Sequence, residues 1–171
     1  MLLAGCATTR VPEPIREPIK PELAPNEVRS GPAPVGMRVR WGGTIVRLEH
    51  RSDMSVLEIV ARSIDGDGRP VASDNSQGRF IAHIAGFMEP TVYETGRLIT
   101  VVGTLEDNRK GKVGEYDYVF PVVKVSEHYL WPKPRARARE PYPYPYPWYD
   151  PWYDPWYPWF HPLYPHHHHR W

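Results

Sequence analysis

One cysteine in 171 residues excludes an intramolecular disulfide and a cysteine-built metal cage. An excess of one charge is equally lacking. The formal net charge is +1, and residues 36–131 carry 12 Lys and Arg against 13 Asp and Glu. Nucleic-acid binding draws on surplus cations that displace counterions from phosphate, so no nucleic-acid partner is expected. No run of about 20 apolar residues occurs, so no segment reads as a membrane-spanning helix. The G-x-S-x-G elbow, the H-E-x-x-H zinc motif and a phosphate-cradling Gly-rich loop are missing too. The chain is read as non-enzymatic and without a cofactor.

Proline is abundant, and its distribution divides the chain. Seven of the 21 prolines lie between Pro12 and Pro34, and nine lie between Pro141 and Pro165. The stretch from Ala7 to Val35 has no hydrophobic period. Its prolines alternate with Glu, Arg and Lys, and each fixes φ and biases its predecessor toward extended backbone. It is expected to be a disordered, stiff and solvated tether, reaching roughly 90 Å at ~3.1 Å per residue.

At the start of the chain, Leu3-Ala4-Gly5-Cys6 resembles the lipobox of bacterial lipoproteins. That resemblance implies a diacylglyceryl group on the Cys6 thiol, cleavage before Cys6 and acylation of the new amino group. Residues 1–5 are then the remnant of a lipoprotein signal peptide. Acyl chains of the palmitate kind contribute ~0.8 kcal/mol per buried methylene, and three of them anchor almost irreversibly. Ala7 rather than Asp follows the cysteine, which by the same resemblance implies sorting to the outer membrane.

The middle reads as all-β. Met37, Val39, Trp41, Ile45 and Leu48 form an alternating first strand around Gly42-Gly43, a pair that suggests a bulge or tight bend. Residues 55–62, 78–84, 97–106 and 114–125 supply four more strands. Asp65-Gly66-Asp67-Gly68 reads as a hairpin turn, residues 89–93 as one helical turn, and Asn108-Arg109-Lys110-Gly111 as another reversal. Tyr116, Tyr118 and Phe120 share a strand face. Five strands with a bent first strand and a short connector before the fourth suggest a small five-stranded OB-like barrel, with a sandwich as the alternative. A barrel of this size is filled by its own side chains.

The motifs Val39-Arg40-Trp41-Gly42-Gly43, Gly78-Arg79-Phe80, Thr100-Val101-Val102-Gly103, Gly114-Glu115-Tyr116 and Leu130-Trp131-Pro132 stand in this order, with Gly68-Arg69-Pro70 and Gly96-Arg97 between them. Together they resemble the Slp family of starvation-inducible outer-membrane lipoproteins of Gram-negative bacteria. The resemblance covers residues 36–132 and, through Cys6, the architecture. It implies an outer-membrane, lipid-anchored protein facing the periplasm, and it implies no reaction. The resulting division is residues 1–5 signal remnant, 6–35 lipidated tether, 36–132 barrel, and 133–171 basic linker and low-complexity tail.

Other candidate chemistry is sparse. Asp65-x-Asp67 resembles the start of a calcium loop, but Pro70 and Ser76 stand where that loop needs Gly and Glu, so a turn is preferred. Ser76 and His83 lie near one strand with no argued nucleophile–base geometry. The pairs Gly68-Arg69, Gly78-Arg79 and Gly96-Arg97 either gather cations at one barrel end or serve turns, their arginines pairing with Asp65, Asp74, Glu94 or Glu115; the second reading is preferred.

After a basic run at Lys133, Arg135, Arg137 and Arg139 comes a Pro-Trp-Tyr-Asp repeat. Dense proline excludes helix and sheet, so the tail is expected to be disordered. Trp148, Trp152, Trp156 and Trp159 are candidate contacts to sugar rings of peptidoglycan or lipopolysaccharide, or to a bilayer interface. His166, His167, His168 and His169 are weak metal candidates, and no physiological metal is assigned. Two readings follow: a structural or interaction module of the envelope, and an OB-type module binding an envelope oligosaccharide or other anionic ligand. A groove lined by aromatic and polar residues on one strand face favours the second.

Overall fold

The alternation of apolar and polar residues resolves into five strands in the computed structural model, which describes residues 11–31 and 34–133. They are β1 (Arg38–His50), β2 (Met54–Arg62), β3 (Arg79–Ala85), β4 (Leu98–Val113) and β5 (Tyr116–Leu130). They close into a barrel in the order β1-β2-β3-β5-β4, antiparallel throughout except where β3 runs parallel to β5. This is the expected OB-like arrangement. Closure pairs every strand on both sides and leaves an interior that side chains fill.

Inward residues alternate along each strand as period-two geometry requires. Val39, Trp41, Ile45, Leu57, Ile59, Phe80, Ala82, Ile99, Val101 and Val123 form the interior. The Trp41 and Phe80 rings meet edge to face at 5.2 Å. Gly42 and Gly43 stay in regular register with β2 and β4. The bulge lies beyond them, between Ile45 and Arg47. The glycines serve close approach instead: a Cβ on Gly43 would run into the Val60 carbonyl, and one on Gly42 would meet Ile64 and Pro70.

Residues 108–111 are not a turn. They continue β4, with Arg109 opposite Phe120 and Gly111 opposite Tyr118. A bulge between Glu106 and Arg109 absorbs the irregularity. The reversal comes at Gly114-Glu115, between the paired Val113 and Tyr116, where Gly114 takes φ 60. The polar composition that looks like a loop belongs to an exposed strand, which charge protects from further pairing. β5 extends to Leu130, beyond the expected 125. Residues 89–93 do form one helical turn, Glu89 O accepting from Tyr93 N at 3.0 Å.

The solvated-tether reading fails for residues 11–31, which pack on the barrel. Two short helices form there, α1 (Glu13–Arg16) and α2 (Pro25–Ser30). Proline opens α2, and the Glu27 carboxylate caps it by accepting from Ala24 N at 2.7 Å. Ile15 is fully buried on the outer side of the barrel with Val102 and Trp131, while Val28 joins the interior. The Arg40 guanidinium donates to the Ile15 and Arg16 carbonyls, and Trp41 Nε1 donates to Leu23 O at 2.6 Å. Burial pushes the Arg40 pKa down, an effect opposed by the charges of Glu22 and Asp65. Apolar residues too irregularly spaced to show a period nevertheless find matching sites on the closed barrel.

Candidate functional site

Cys6, Trp148, Trp152, Trp156, Trp159 and His166–His169 lie outside the described residues. Of the remaining candidates, most turn out to hold the structure. The Asp65 carboxylate accepts from Asp67 N and Arg69 N, and Ile64 bridges Pro70, which makes this segment a tight turn within the β2–β3 connection. Gly68 takes φ 83 there and leaves room for the Ile15 carbonyl. Ser76 Oγ bonds to the backbone of Ala61 and Gly78. His83 meets a different partner, Glu106 on β4, at 2.8 Å.

The three Gly-Arg pairs do not converge. Gly68, Gly78 and Gly96 all have positive φ, as turn residues. Arg69 lies over the Trp131 ring at 5.5 Å, Arg79 pairs with Glu58 at 2.7 Å, and Arg97 donates to the carbonyls of Val92 and Trp131. Among the described residues none of these three guanidinium groups forms an ion pair with the carboxylates expected from sequence. A half-buried polar pair missing from the sequence reading is Tyr93 and His128, with Tyr93 Oη 3.1 Å from His128 Nε2. Burial lowers the His128 pKa and raises that of Tyr93, so both favour their neutral forms, with the phenol donating to the imidazole.

A mixed polar and apolar concavity lies on the outside of the barrel. Val56, Ile81, Phe120 and Val122 point outward from β2, β3 and β5 and form an apolar floor. The extension of β4 and β5 stands over this floor. Between them is a cleft of about 130 Å³ lined by Arg47, Glu49, Glu58, Arg109, Lys112 and Phe120, with Gly111 also on its wall. Arg47 pairs with Glu49 and Arg79 with Glu58, each at 2.7 Å. Arg109 and Lys112 are exposed and make no ion pair among the described residues. On the far side of Arg109 is a wider, open depression of about 450 Å³, bordered by Val35, His83, Glu106 and Val122. The Tyr118 ring stacks at a tilt on Phe120 and lies under the Arg29 guanidinium at 4.9 Å.

Sequence reasoning missed this cleft because Arg109 and Gly111 read as turn residues. Its walls come from all five strands, so only barrel closure assembles it.

The sequence pattern of the outer membrane lipoprotein Slp family matches residues 3–161. The chain belongs to that family. The match reaches beyond residues 36–132 at both ends, taking in the docked N-terminal segment and much of the tail. Among curated relatives, this Slp-family chain is 34% identical over 134 residues to the uncharacterised lipoprotein YeaY of Escherichia coli K12, covering 77% of this chain and 67% of that protein. It is 27% identical over 133 residues to the outer membrane protein Slp of the same organism, covering 76% and 69%. An uncharacterised protein of Haemophilus influenzae is 38% identical over 96 residues, which is 54% of this chain and 51% of that one. The Slp-family barrel is thus a lipoprotein of the bacterial envelope.

Proposed function

We propose that this protein is a lipid-anchored, non-enzymatic interaction module of the outer membrane, facing the periplasm, whose outer cleft is its contact site. The observation that carries this reading is the cleft itself: a filled barrel that offers its polar, partly uncompensated surface outside, beneath the β4–β5 extension. Ligand sites on folds of this kind commonly sit on such a strand face. Within the first of the two readings, a structural or interaction module, the interaction role is favoured because a scaffold alone has no use for Arg109 and Lys112, which make no ion pair among the described residues.

In this reading Cys6 bears the lipid and the docked segment sets the geometry. Only four residues separate Cys6 from Val11, the first described residue, which packs against the cluster of Ile15, Val102 and Trp131. At ~3.6 Å per residue, that link spans at most about 18 Å, far less than a free tether. α1 sits against Leu98, Tyr129 and Trp131, whereas the cleft is built on Arg109, Lys112 and Phe120. Tyr129 and Phe120 are separated by roughly 30 Å of strand. The anchored end and the cleft therefore fall at opposite ends of the β4–β5 ribbon, and the cleft is displayed away from the bilayer.

The test uses the full chain carrying Cys6→Ser, so that lipid plays no part. Retention on purified envelope fragments is compared with and without a second change, Gly111→Leu, which fills the cleft. Retention that falls with the filled cleft supports the reading. Equal retention refutes the cleft as contact site.

A further inference from the structure

Two large apolar side chains stand open to solvent on one connection, the loop between β3 and β4. Phe87 is 69% exposed and Val92 is 43% exposed. The loop that carries them is pinned to the barrel. Met88, next to Phe87, is buried in the interior. Its amide donates to Ser55 Oγ at 3.0 Å, and that hydroxyl lies 2.9 Å from Gly86 O as donor. The Phe87 ring stacks on the His50 ring at 4.5 Å, and Val92 N donates to Glu89 O at 3.0 Å. A ring so held, yet still mostly in contact with water, loses little conformational entropy when something covers it.

The position of the loop in the fold indicates what covers it. Arg97 donates from Nη1 to Val92 O at 3.0 Å and from Nη2 to Trp131 O at 3.1 Å, so one guanidinium joins the loop to the residue that follows β5. Trp131 in turn packs in the cluster that takes in Val11. Val92 and the docked N-terminal segment thus lie at the same end of the barrel. On the reading that Cys6 bears the lipid, the four residues between Cys6 and Val11 hold this end within about 18 Å of the bilayer surface. So short a link keeps even a weak contact engaged, because it sets an effective concentration on the order of millimolar.

Size and charge narrow the occupant. Two side chains fall well short of the ~800 Å² that each partner buries in a specific protein interface, which disfavours a second copy or a partner protein. A bilayer asks only that apolar groups enter the headgroup boundary, since the acyl chains supply the rest of the attachment. Gly86 N donates to Asp53 O at 2.9 Å, which sets the β1–β2 turn beside the loop. The exposed charges there are mixed, Arg51 and Asp53 in the turn and Glu89 in the loop. An anionic surface favours cations alone, whereas a zwitterionic headgroup offers an amine to the carboxylates and a phosphate to the guanidinium. We propose that the loop of residues 86–95 is a second membrane contact, in which Phe87 and Val92 enter the headgroup region of a zwitterionic phospholipid bilayer beside the lipid anchor and so set the tilt of the barrel.

The experiment couples the lone cysteine of the full chain, Cys6, to a maleimide lipid in phosphatidylcholine nanodiscs. The anchor is thereby imposed and the loop is tested by itself; a chain that carries no lipid in the cell shows instead in the mass of the mature protein. Methyl NMR spectra are compared with and without a lipid that bears a nitroxide near the top of its acyl chain. The Val92 and Met88 methyl signals should broaden strongly, and that of Val113, at the far end of the β4–β5 ribbon, should not. Phe87→Ser should lower the equilibrium between seated and free barrel at least about tenfold and restore most of the Val92 signal. Phe87→Trp keeps a ring suited to the interface and should retain the broadening. Both variants should melt as the wild type does, because the side chain is exposed; if Phe87→Ser does not, Val92→Ser read at Met88 takes its place. A Val92 signal that stays sharp in the wild type overturns the proposal, as does broadening that Phe87→Ser leaves intact. So does a dimer of the Cys6→Ser chain in sedimentation that Phe87→Ser dissociates, which would give Phe87 to a second copy.

Discussion

Arg40 on β1 holds the backbone of Ile15, 25 positions earlier in the chain, through a bond from Nη1 to the carbonyl oxygen at 3.0 Å. The same nitrogen reaches Arg16 O at 2.6 Å. A segment that composition assigns to solvent is thereby fixed to the barrel by a half-buried cation, at the point where Ile15 itself is fully buried. The link makes the N-terminal segment part of the folding unit.

Arg40→Ala is accordingly expected to destabilise the protein by about 2–3 kcal/mol, since it removes two charge-assisted bonds and leaves two carbonyls unpartnered. Removing residues 1–35 altogether takes Ile15 and Val28 out of the packed structure, at about 1.5–3 kcal/mol each. That is a large share of the ~5–15 kcal/mol typical of a domain. Urea titration followed by tryptophan fluorescence measures both; a shortened chain as stable as the full one would show that the docking contributes nothing.

Gly43→Ala tests the close approach of β1 to β2. The added methyl would run into the Val60 carbonyl, and backbone cannot step aside as a side chain can. A loss of about 3 kcal/mol is expected. Gly66→Ala, in open space at a turn, serves as the control in the same thermal melts.

Acid sensitivity should trace to His128. Burial lowers its folded-state pKa below the ordinary 6.5. The unfolded chain therefore takes up a proton that the folded one refuses, and stability present above pH 6.5 is lost as pH falls below it, until the folded-state pKa is reached. The slope from this group is at most about 1.4 kcal/mol per pH unit. Unfolding free energies at stepwise pH, for the wild type and His128→Gln, check this; an unchanged slope in the variant would assign the dependence elsewhere.

Cys6→Ser should move the protein from the membrane to the soluble periplasmic fraction, and mass spectrometry of the mature wild type should show an acylated N-terminus at Cys6. Continued membrane association of the variant, with no acyl mass on the wild type, would remove the anchor.

Deletion of residues 141–171 should weaken retention on peptidoglycan or on liposomes. The 13 aromatic residues of this stretch contribute stacking that survives salt, whereas the basic run before it contributes attraction that salt screens. Loss on peptidoglycan alone points to glycan stacking, and loss on liposomes alone to interfacial seating. Unaltered retention on both, at low and high salt, would exclude the tail as a contact.

How far the sequence alone reaches depends on the range of the interaction that decides each feature. Alternation in Val39-Arg40-Trp41 and Leu57-Glu58-Ile59 is a local, period-two signal, and it determined the strands and which residues face inward. Turn chemistry at Asp65 is local too, as is the lipobox pattern at Cys6. Three features were decided only by tertiary structure. Ile15 and Val28 are buried because the closed barrel offers them complementary surface, with no period in their own segment to announce it. Asn108-Arg109-Lys110-Gly111 is strand because β5 pairs with it, which overrides its turn-like composition. The cleft joins Arg47, Glu58, Ile81, Arg109 and Phe120 across more than seventy residues of chain. No local preference encodes that meeting, because hydrogen-bonded closure of the barrel brings those side chains to one face.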